Sequence, residues 1–124
     1  MEIRMKDIVV FDLDGVLRHG IDVDEEMRII AVEMEAGGQV YIFSPCQEGL
    51  RPQELQWLRD NAIVCDQLLM RPDIANESFH DFKLRMLESV IPKDRVVCVF
   101  EDNPITAEDM TIAGFTVCRV MRGV

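Results

Sequence analysis

The sequence predicts an α/β fold built on a parallel β-sheet. Segments with the pattern of strands and segments with the pattern of helices alternate along the 124 residues, as in successive βα units. Three of the strand-like segments are uninterrupted apolar runs, which suit strands that are buried on both faces. No repeat, low-complexity tract or linker interrupts the alternation, so residues 1–124 are predicted to form a single domain. Each of the three apolar runs ends on polar residues, namely Asp12-Leu13-Asp14, Ser44 and Glu101-Asp102.

The first third of the chain predicts a strand, a small hairpin and a helix. The first strand covers residues 7–12, and a turn with a small hairpin is expected from Gly15 to Val23. Asp24 is a helix-start residue, and apolar residues follow it at the i, i+3, i+4, i+7 spacing of one helix face. The helix is expected to end at Gly37-Gly38.

The middle of the chain predicts two further strands with a helix between them. Val40 to Phe43 is a buried strand that ends on Ser44, and Pro52 begins a helix that ends near Asn61. Residues 65–70 form a weaker strand, because two polar residues interrupt its apolar run.

The last third of the chain begins with a loop at residues 71–73 and then alternates helix and strand twice. The first helix covers residues 77–90 and carries Phe79, Phe82, Met86 and Val90 on its apolar side. The elements that follow are a strand over 96–100, a helix that starts after Asn103 and ends at Gly114, and a strand over 116–120.

The burial pattern of the strands predicts how the sheet is ordered. Strands one, two and four are apolar throughout, whereas strands three and five contain polar residues that suit sheet edges. These features fit a Rossmann-like three-layer sandwich whose five parallel strands lie in the order 3-2-1-4-5. Ligands of such folds bind at the carboxyl ends of the strands, near the point where the strand order reverses. The polar strand ends are therefore expected to converge on one site.

Composition limits the possible partners and the compartment. The net charge of −10 argues against a broad nucleic-acid-binding surface, although a local pocket for one phosphate remains compatible with it. No apolar run approaches the length that spans a membrane, and the first six residues lack the apolar region of a signal peptide. We therefore expect a cytoplasmic protein with no membrane partner.

The cysteines and histidines do not predict a metal site. Cys98 and Cys118 lie inside apolar runs, so we expect buried free thiols rather than zinc ligands or disulfides. His19 and His80 have no metal-ligand spacing, and solvated or capping roles are expected for them.

The pair Asp12 and Asp14 is the strongest chemical signal in the chain. A buried strand that ends on two carboxylates is unfavourable, because the two charges repel each other and resist desolvation. A bound cation would remove that conflict.

An ordered set of four segments resembles the haloacid-dehalogenase superfamily. The segment Val9 to Leu17, with Asp12-Leu13-Asp14-Gly15, looks like the first motif of that superfamily, and Val40 to Ser44 is similar to its second. Lys83 fits the third motif, and Val96 to Asp102 fits the fourth. The resemblance covers nearly the whole chain. It implies a Mg²⁺-dependent phosphatase, an enzyme that hydrolyses phosphomonoesters through an aspartyl phosphate.

The resemblance also implies a role for each site residue. Asp12 would be the nucleophile, and Asp14 would protonate the leaving oxygen and then activate water. Mg²⁺ would be held by the carboxylates of Asp12 and Asp102 and by the backbone carbonyl of Asp14. Lys83 would reduce the repulsion between nucleophile and phosphate, and Ser44 would donate a hydrogen bond to a phosphate oxygen.

The chain has no room for the cap domain that many members of the superfamily carry. Only a small flap and one helix fit between Leu17 and Val40, and one helix, one strand and a loop fit between Ser44 and Lys83. An uncapped site would admit a large substrate such as a nucleotide or a polynucleotide, or would receive a cap from a partner.

A narrower resemblance links the second half of the chain to the 3′-phosphatase domain of phage polynucleotide kinases. It includes Trp57-Leu58, the segment Leu68 to Pro72, and Lys83. Those domains typically have Ser-Gly-Arg where this chain has Ser44-Pro45-Cys46. Arg71, Arg51 or Arg18 would then have to supply the missing arginine contact with the substrate, whereas Arg71 is equally compatible with a solvated loop.

Two other classes of function remain open at this level. A phosphoacceptor domain of the receiver type is also small, acidic and α/β, but its aspartate and lysine would follow a different order of elements. A catalytically idle binding protein on the same fold is the other alternative.

Overall fold

The computed structural model describes residues 7–73 and 76–121, so the sequence prediction made for residues 1–6 lies outside the described part. The strands are β1 (Ile8–Asp12), β2 (Arg18–His19), β3 (Asp22–Val23), β4 (Gln39–Gln47), β5 (Gln67–Arg71), β6 (Val96–Glu101) and β7 (Val117–Arg119). The α-helices are α1 (Glu25–Gly37), α2 (Arg51–Asp60), α3 (Phe79–Ser89) and α4 (Pro104–Ile112), and short 3₁₀ turns cover Glu48–Leu50 and Lys93–Arg95.

The main sheet has the order β5-β4-β1-β6-β7, and all of its strand pairs are parallel. The hairpin β2–β3 forms a separate two-stranded unit beyond the end of β1. When the hairpin is set aside, the observed order is the predicted 3-2-1-4-5. The prediction of the α/β fold class is therefore confirmed.

Two hydrophobic clusters cover the two faces of the sheet, which gives the predicted three layers. All five residues of β1 are buried, and its four apolar residues alternate between the two clusters as a strand requires. Val9 and Phe11 pack with residues of α1 and α2, whereas Ile8 and Val10 pack with residues of α3 and α4. β1 is thus the central strand, and its carboxyl end lies where the strand order reverses.

Helix capping explains where α1 and α3 begin. The Asp24 carboxylate accepts a hydrogen bond from the backbone N–H of Met27, 3.1 Å away, and so caps α1. Ser78 caps α3 in the same way, because its Oγ accepts from the N–H of Asp81 at 3.0 Å. Capping at Ser78 sets the phase of α3 and turns Phe82, Lys83 and Leu87 inward.

Several expectations of detail are corrected. β4 does not stop at Phe43 but continues through Ser44 to Gln47, and Arg71 belongs to β5 rather than to a loop. Val90 is 56% exposed because α3 ends at Ser89 and the next residue, Ile91, turns into the core instead.

The cysteine prediction is only partly right. Cys98 is buried, but Cys118 is exposed because it lies on the short edge strand β7. All four cysteines are free thiols. Burial raises the pKa of the Cys98 thiol to about 12, with a further contribution from the neighbouring Cys118, so Cys98 is inert at neutral pH.

Within the described ranges, none of the helices has the length and apolar character needed to span a membrane.

Candidate active site

Asp12 ends the central strand, and its carboxylate lies almost entirely inside the protein. The residue is 3% exposed, and its Oδ2 lies 3.4 Å from the Lys83 Nζ. Its other oxygen, Oδ1, is buried and has no hydrogen-bond partner among the described residues. An unpaired buried acceptor is costly, so an orphaned carboxylate oxygen at a strand end indicates that this atom serves a bound group.

Lys83 reaches the end of β1 from the inward side of α3. It is 3% exposed, and its Nζ donates a hydrogen bond of 2.5 Å to Glu101 Oε1. The Nζ also lies 4.3 Å from the centre of the Phe79 ring, which places the ammonium over an aromatic face. The single cation thus lies between two buried carboxylates.

Glu101 is a site residue whose role the sequence left open, between a contact with a metal-bound water and a side chain that faces away. It is fully buried at the end of β6, and its second oxygen accepts hydrogen bonds of 3.1 Å from the backbone N–H groups of Asp102 and Asn103. Alternation along β6 puts Glu101 on the same face as Val99, which is the face covered by α3. That alternation was the available signal that Glu101 points toward Lys83.

Asp12, Glu101 and Asp102 form a group suited to a metal ion. Each offers one carboxylate oxygen, and the three oxygens lie within 4.8 Å of one another. Lys83 compensates only one of the three negative charges if all are ionised. Burial raises the pKa of the Asp12 carboxyl to about 9; Lys83 opposes this rise, while Glu101 and Asp102 add to it. The group therefore has a deficit of positive charge that a divalent cation would fill.

The predicted metal ligands are thus partly brought together. The carboxylates of Asp12 and Asp102 belong to the group, and Glu101 joins them. Asp14 was expected to contribute its backbone carbonyl oxygen rather than its side chain, and its carboxylate lies outside the group. The ligand assignment of Asp14 stays a prediction.

Asp14 lies on a tight loop that follows β1. The backbone N–H of Arg18 donates to the carbonyl of Leu13 at 3.1 Å, and the N–H of Gly15 donates to the carbonyl of Arg18 at 2.8 Å. This closed loop brings the Arg18 side chain back alongside Asp14, and Arg18 Nε donates a short hydrogen bond to Asp14 Oδ1. The Asp14 side chain is 49% exposed, so it is accessible to solvent.

Ser44 is fully buried and is held by two hydrogen bonds. Its Oγ donates to Glu54 Oε2 and accepts from the backbone N–H of Cys46 at 3.1 Å. Because a serine hydroxyl has one proton, Ser44 has to turn that proton away from Glu54 before it can donate to a phosphate oxygen. Its predicted role as a phosphate donor therefore requires a rotation of the hydroxyl.

Arg71 holds backbone segments at the edge of the site. Its two terminal nitrogens donate to the carbonyl of Pro45 at 2.6 Å and to the carbonyl of Glu77 at 3.2 Å. The guanidinium also lies 5.9 Å from the ring centre of Phe79, and the same ring contacts the Lys83 ammonium. In this state Arg71 joins the end of β4 to the segment before α3, and its predicted contact with substrate stays a prediction.

Gly15 allows the β1 loop to approach Asp102 closely. Its φ of +87° is a conformation that favours glycine, and a Cβ added there would lie 2.0 Å from Asp102 Oδ2. The Asp102 carboxylate, one of the three in the group suited to a metal ion, therefore lies directly against the backbone of Gly15.

Gly15→Ala is therefore expected to destabilise the protein and to displace the Asp102 carboxylate. We expect a loss of about 1–3 kcal/mol in the free energy of unfolding from the backbone strain and the clash. Urea denaturation measures this loss. Gly20→Ala is the matched control, because Gly20 also has a positive φ, of +66°, but has open space where the Cβ would stand. Equal losses in the two variants would mean that the clash with Asp102 is unimportant.

Of the open clefts on the β7 side of the described residues, two lie next to this region. The smaller, of about 390 Å³, is lined by Asp102, Arg119, Val120 and Met121. The larger, of about 760 Å³, lies between the start of α1 and the segment after β7, and Asp12 does not line it. The approach to Asp102 is therefore open to solvent.

Comparison with known proteins shows the fold. No protein-family model and no curated protein sequence matches the chain. A chain in a structure of the Pnkp1/Rnl/Hen1 complex is similar to this one, with a TM-score of 0.81 and 20% identity over 97% of this chain and 47% of that chain. A chain in a structure of the Pnkp1/Rnl/Hen1 RNA repair complex gives a TM-score of 0.79 and 20% identity over 96% and 43% of the two chains. This protein thus spans less than half of each of these two chains and shares their fold.

Proposed function

We propose that this protein is a Mg²⁺-dependent phosphomonoesterase that forms an aspartyl phosphate on Asp12. One observation carries the proposal: the carboxylates of Asp12, Glu101 and Asp102 lie together at the ends of β1 and β6, buried Lys83 pairs with the first two of them, and Asp12 Oδ1 has no partner among the described residues. The resemblance to the haloacid-dehalogenase superfamily supports the same reading.

The donor set fits Mg²⁺, which binds proteins through a few carboxylates and keeps water or phosphate oxygens as its other ligands. Asp12, Asp102 and the carbonyl of Asp14 would hold the ion, and Glu101 lies close enough to contact it or one of its waters. When bound, the cation supplies the positive charge that an anionic nucleophile needs in order to approach an anionic phosphate.

The side chains of the site account for the two chemical steps. The carboxylate of Asp12 attacks phosphorus, and Lys83 stabilises the combined negative charge of the carboxylate and the phosphate. Asp14 donates a proton to the leaving oxygen, and the same group then takes a proton from the water that hydrolyses the aspartyl phosphate. Asp14 is half exposed and can therefore exchange its proton with water, whereas Asp12 is buried.

We propose further that the substrate is a phosphomonoester at the end of a polynucleotide. The similar solved structures are of an RNA repair complex, and the region beside Asp102 opens to solvent without a covering domain among residues 7–73 and 76–121. The strongly acidic composition suits recognition of a chain end better than recognition of a long backbone. On this proposal residues 1–124 act as one hydrolase domain.

A phosphate-release assay tests the proposal. The substrates are an aryl phosphate, mononucleotides, sugar phosphates and oligonucleotides with a 3′- or a 5′-phosphate, each with Mg²⁺ and with EDTA. We expect Mg²⁺-dependent release that is fastest from oligonucleotide ends. Release from small phosphates alone would retain the phosphatase and remove the polynucleotide substrate. Absence of release from all of them, with Mg²⁺ binding shown by calorimetry, would contradict the proposed activity.

Asp102→Ala is expected to raise the Mg²⁺ concentration needed for half-maximal activity by about 10–100-fold, because one carboxylate ligand is lost. A Mg²⁺ titration at saturating substrate measures the change. Glu108→Ala is the control, since Glu108 is an exposed acid on α4 and its loss changes the net charge equally. An unchanged titration curve for Asp102→Ala would remove Asp102 from the ligand set.

A further inference from the structure

We propose that Glu54 is a positioning residue that fixes the direction of the Asp14 carboxylate through Arg18. The inference rests on the proposed function, because it assigns to Asp14 the transfer of a proton to the leaving group. Glu54 lies on α2 and has no predicted part in the chemistry, and none of the segments that carry the family resemblance contains it.

Glu54 is a buried carboxylate whose oxygens accept three hydrogen bonds. The residue is 6% exposed and lies one helical turn before the buried Leu58, on the side of α2 that faces the sheet. Both terminal nitrogens of Arg18 donate to it at 3.0 Å, and Ser44 Oγ donates to Oε2. A carboxylate in this position is stable only because its oxygens are occupied.

Arg18 transmits the position of Glu54 to Asp14. Its guanidinium is planar and rigid, so two bonds from the terminal nitrogens to Glu54 also fix the direction of the Nε–H bond. That N–H donates to Asp14 Oδ1. The stem is also immobilised, because Arg18 is 8% exposed and its guanidinium lies 5.1 Å from the ring centre of Trp57.

The hairpin that carries Arg18 is attached to the same helix by a second contact. Trp57 Nε1 donates to the backbone carbonyl of Ile21, at the tip of the hairpin, at 3.0 Å. Glu54 and Trp57 are both on α2, so one rigid helix supports the hairpin at two points. The orientation of the half-exposed Asp14 therefore depends on Glu54, which lies 36 positions after Arg18 in the sequence.

A positioning role and a purely structural role predict different kinetics. Proton donation by Asp14 matters for a poor leaving group such as an alkoxide, and matters little for a stabilised aryloxide. A misdirected Asp14 should therefore slow alkyl phosphates selectively. General damage to the site would slow aryl and alkyl phosphates alike. The comparison uses kcat/KM, which includes departure of the leaving group but excludes the later hydrolysis of the aspartyl phosphate.

Glu54→Gln tests the proposal, because it keeps the size of the side chain and removes its charge. We expect kcat/KM to fall by about 100-fold for an alkyl phosphate and by less than about 10-fold for p-nitrophenyl phosphate. Glu48→Gln is the matched control, because Glu48 forms a comparable two-bond pair with Arg51 at 2.6 Å, just before α2. It should retain wild-type values. Equal losses on both substrates, or no loss, would overturn the positioning role.

Arg18→Lys is the second variant, in case Glu54→Gln folds poorly. A lysine retains the positive charge but cannot bridge two carboxylates in a fixed plane, so the same selectivity for alkyl phosphates is expected.

A measurement that needs no turnover separates this inference from the proposed function. The ¹⁵N resonance of Arg18 Nε–H, assigned with Arg18→Lys, should be protected from exchange in the wild type. It should lose its protection in both Asp14→Ala, which removes the acceptor, and Glu54→Gln. A wild type that hydrolyses no substrate but shows this pattern would contradict the phosphatase and retain the coupling. A signal that Glu54→Gln leaves unchanged would overturn the coupling, whatever the activity.

Discussion

Asp12→Asn is expected to reduce phosphate release by at least about 10⁴-fold, because a neutral amide is a poor nucleophile toward phosphorus. Acid quenching during turnover should trap a phosphoenzyme in the wild type and none in the variant. Asp94→Asn is the control, since Asp94 is an exposed acid just before the opposite end of β6. Retained hydrolysis by Asp12→Asn would remove Asp12 from the role of nucleophile.

The same substitution should stabilise the protein when no divalent cation is present. The pKa of the Asp12 carboxyl is raised from 3.8 to about 9 in the folded state, with burial as the largest cause. Between these values the folded protein holds a proton that the unfolded chain has lost, so stability falls as pH rises from about 4 toward 9. Asparagine carries no such proton. The advantage of the variant should therefore be small near pH 4 and larger near pH 8.

Urea denaturation in EDTA at pH 5 and pH 8 measures this effect. The midpoint of Asp12→Asn should exceed that of the wild type by more at pH 8 than at pH 5, and added Mg²⁺ should reduce the difference at pH 8. A difference that does not change with pH would show that Asp12 is not protonated in the folded, cation-free protein. Together, the activity and stability results would show that the site is held in an unfavourable state that its cation relieves.

The fold could be predicted because the position of each strand in the sheet follows from the apolar pattern of a few consecutive residues. The run Ile8–Asp12 is apolar up to its last residue, and all of it is buried. Burial on both faces requires neighbours on both sides, which places β1 inside the sheet. The interrupted third and fifth strands could only be edges, and this fixed the order of the strands. The hairpin and the start of α1 were predicted from the turn that begins at Gly15 and from Asp24, whose backbone and capping requirements are also local.

The contacts within the site could be predicted only where they follow from strand ends. Asp12 ends β1 and Asp102 directly follows β6, its neighbour in the sheet, so their approach follows from the topology. The partner of Ser44 did not follow, because Glu54 lies on a helix whose rotation depends on packing. The sequence did not decide between a substrate contact and a solvated loop for Arg71. The reason is similar, since its hydrogen bonds to Pro45 and Glu77 depend on the path of two backbone segments.

Glu101 shows most clearly why the rest required a structure. Its side chain is buried with Lys83, 18 positions earlier; alternation along β6 indicates the face that Glu101 occupies, but it does not indicate Lys83 as the partner. A lysine in the first half of a helix is usually solvated, and a glutamate after a strand often faces water. Only the fixed phase of α3 brings the ammonium to the carboxylate.

Lys83→Met is expected to lower both stability and activity strongly. Removal of the ammonium leaves Glu101, which is fully buried, and Asp12, which is 3% exposed, without a cationic partner. Breaking one side of a buried ion pair costs about 3–5 kcal/mol. Turnover should fall by at least about 10³-fold, because the charge that offsets the repulsion between nucleophile and phosphate is lost. Lys93→Met is the control, since Lys93 also lies over a phenylalanine ring but is exposed.

The double variant Lys83→Met/Glu101→Gln separates the two effects. Replacing Glu101 by glutamine removes the unpaired buried charge, so most of the lost stability should return in urea denaturation, while activity should not return. If the double variant is as unstable as Lys83→Met alone, the loss comes from packing around the lysine and not from the unpaired buried charge of Glu101. If its activity recovers, the lysine serves only to neutralise Glu101 and has no direct role toward phosphate. Stability without activity is the result expected of a lysine that acts on both Glu101 and the substrate.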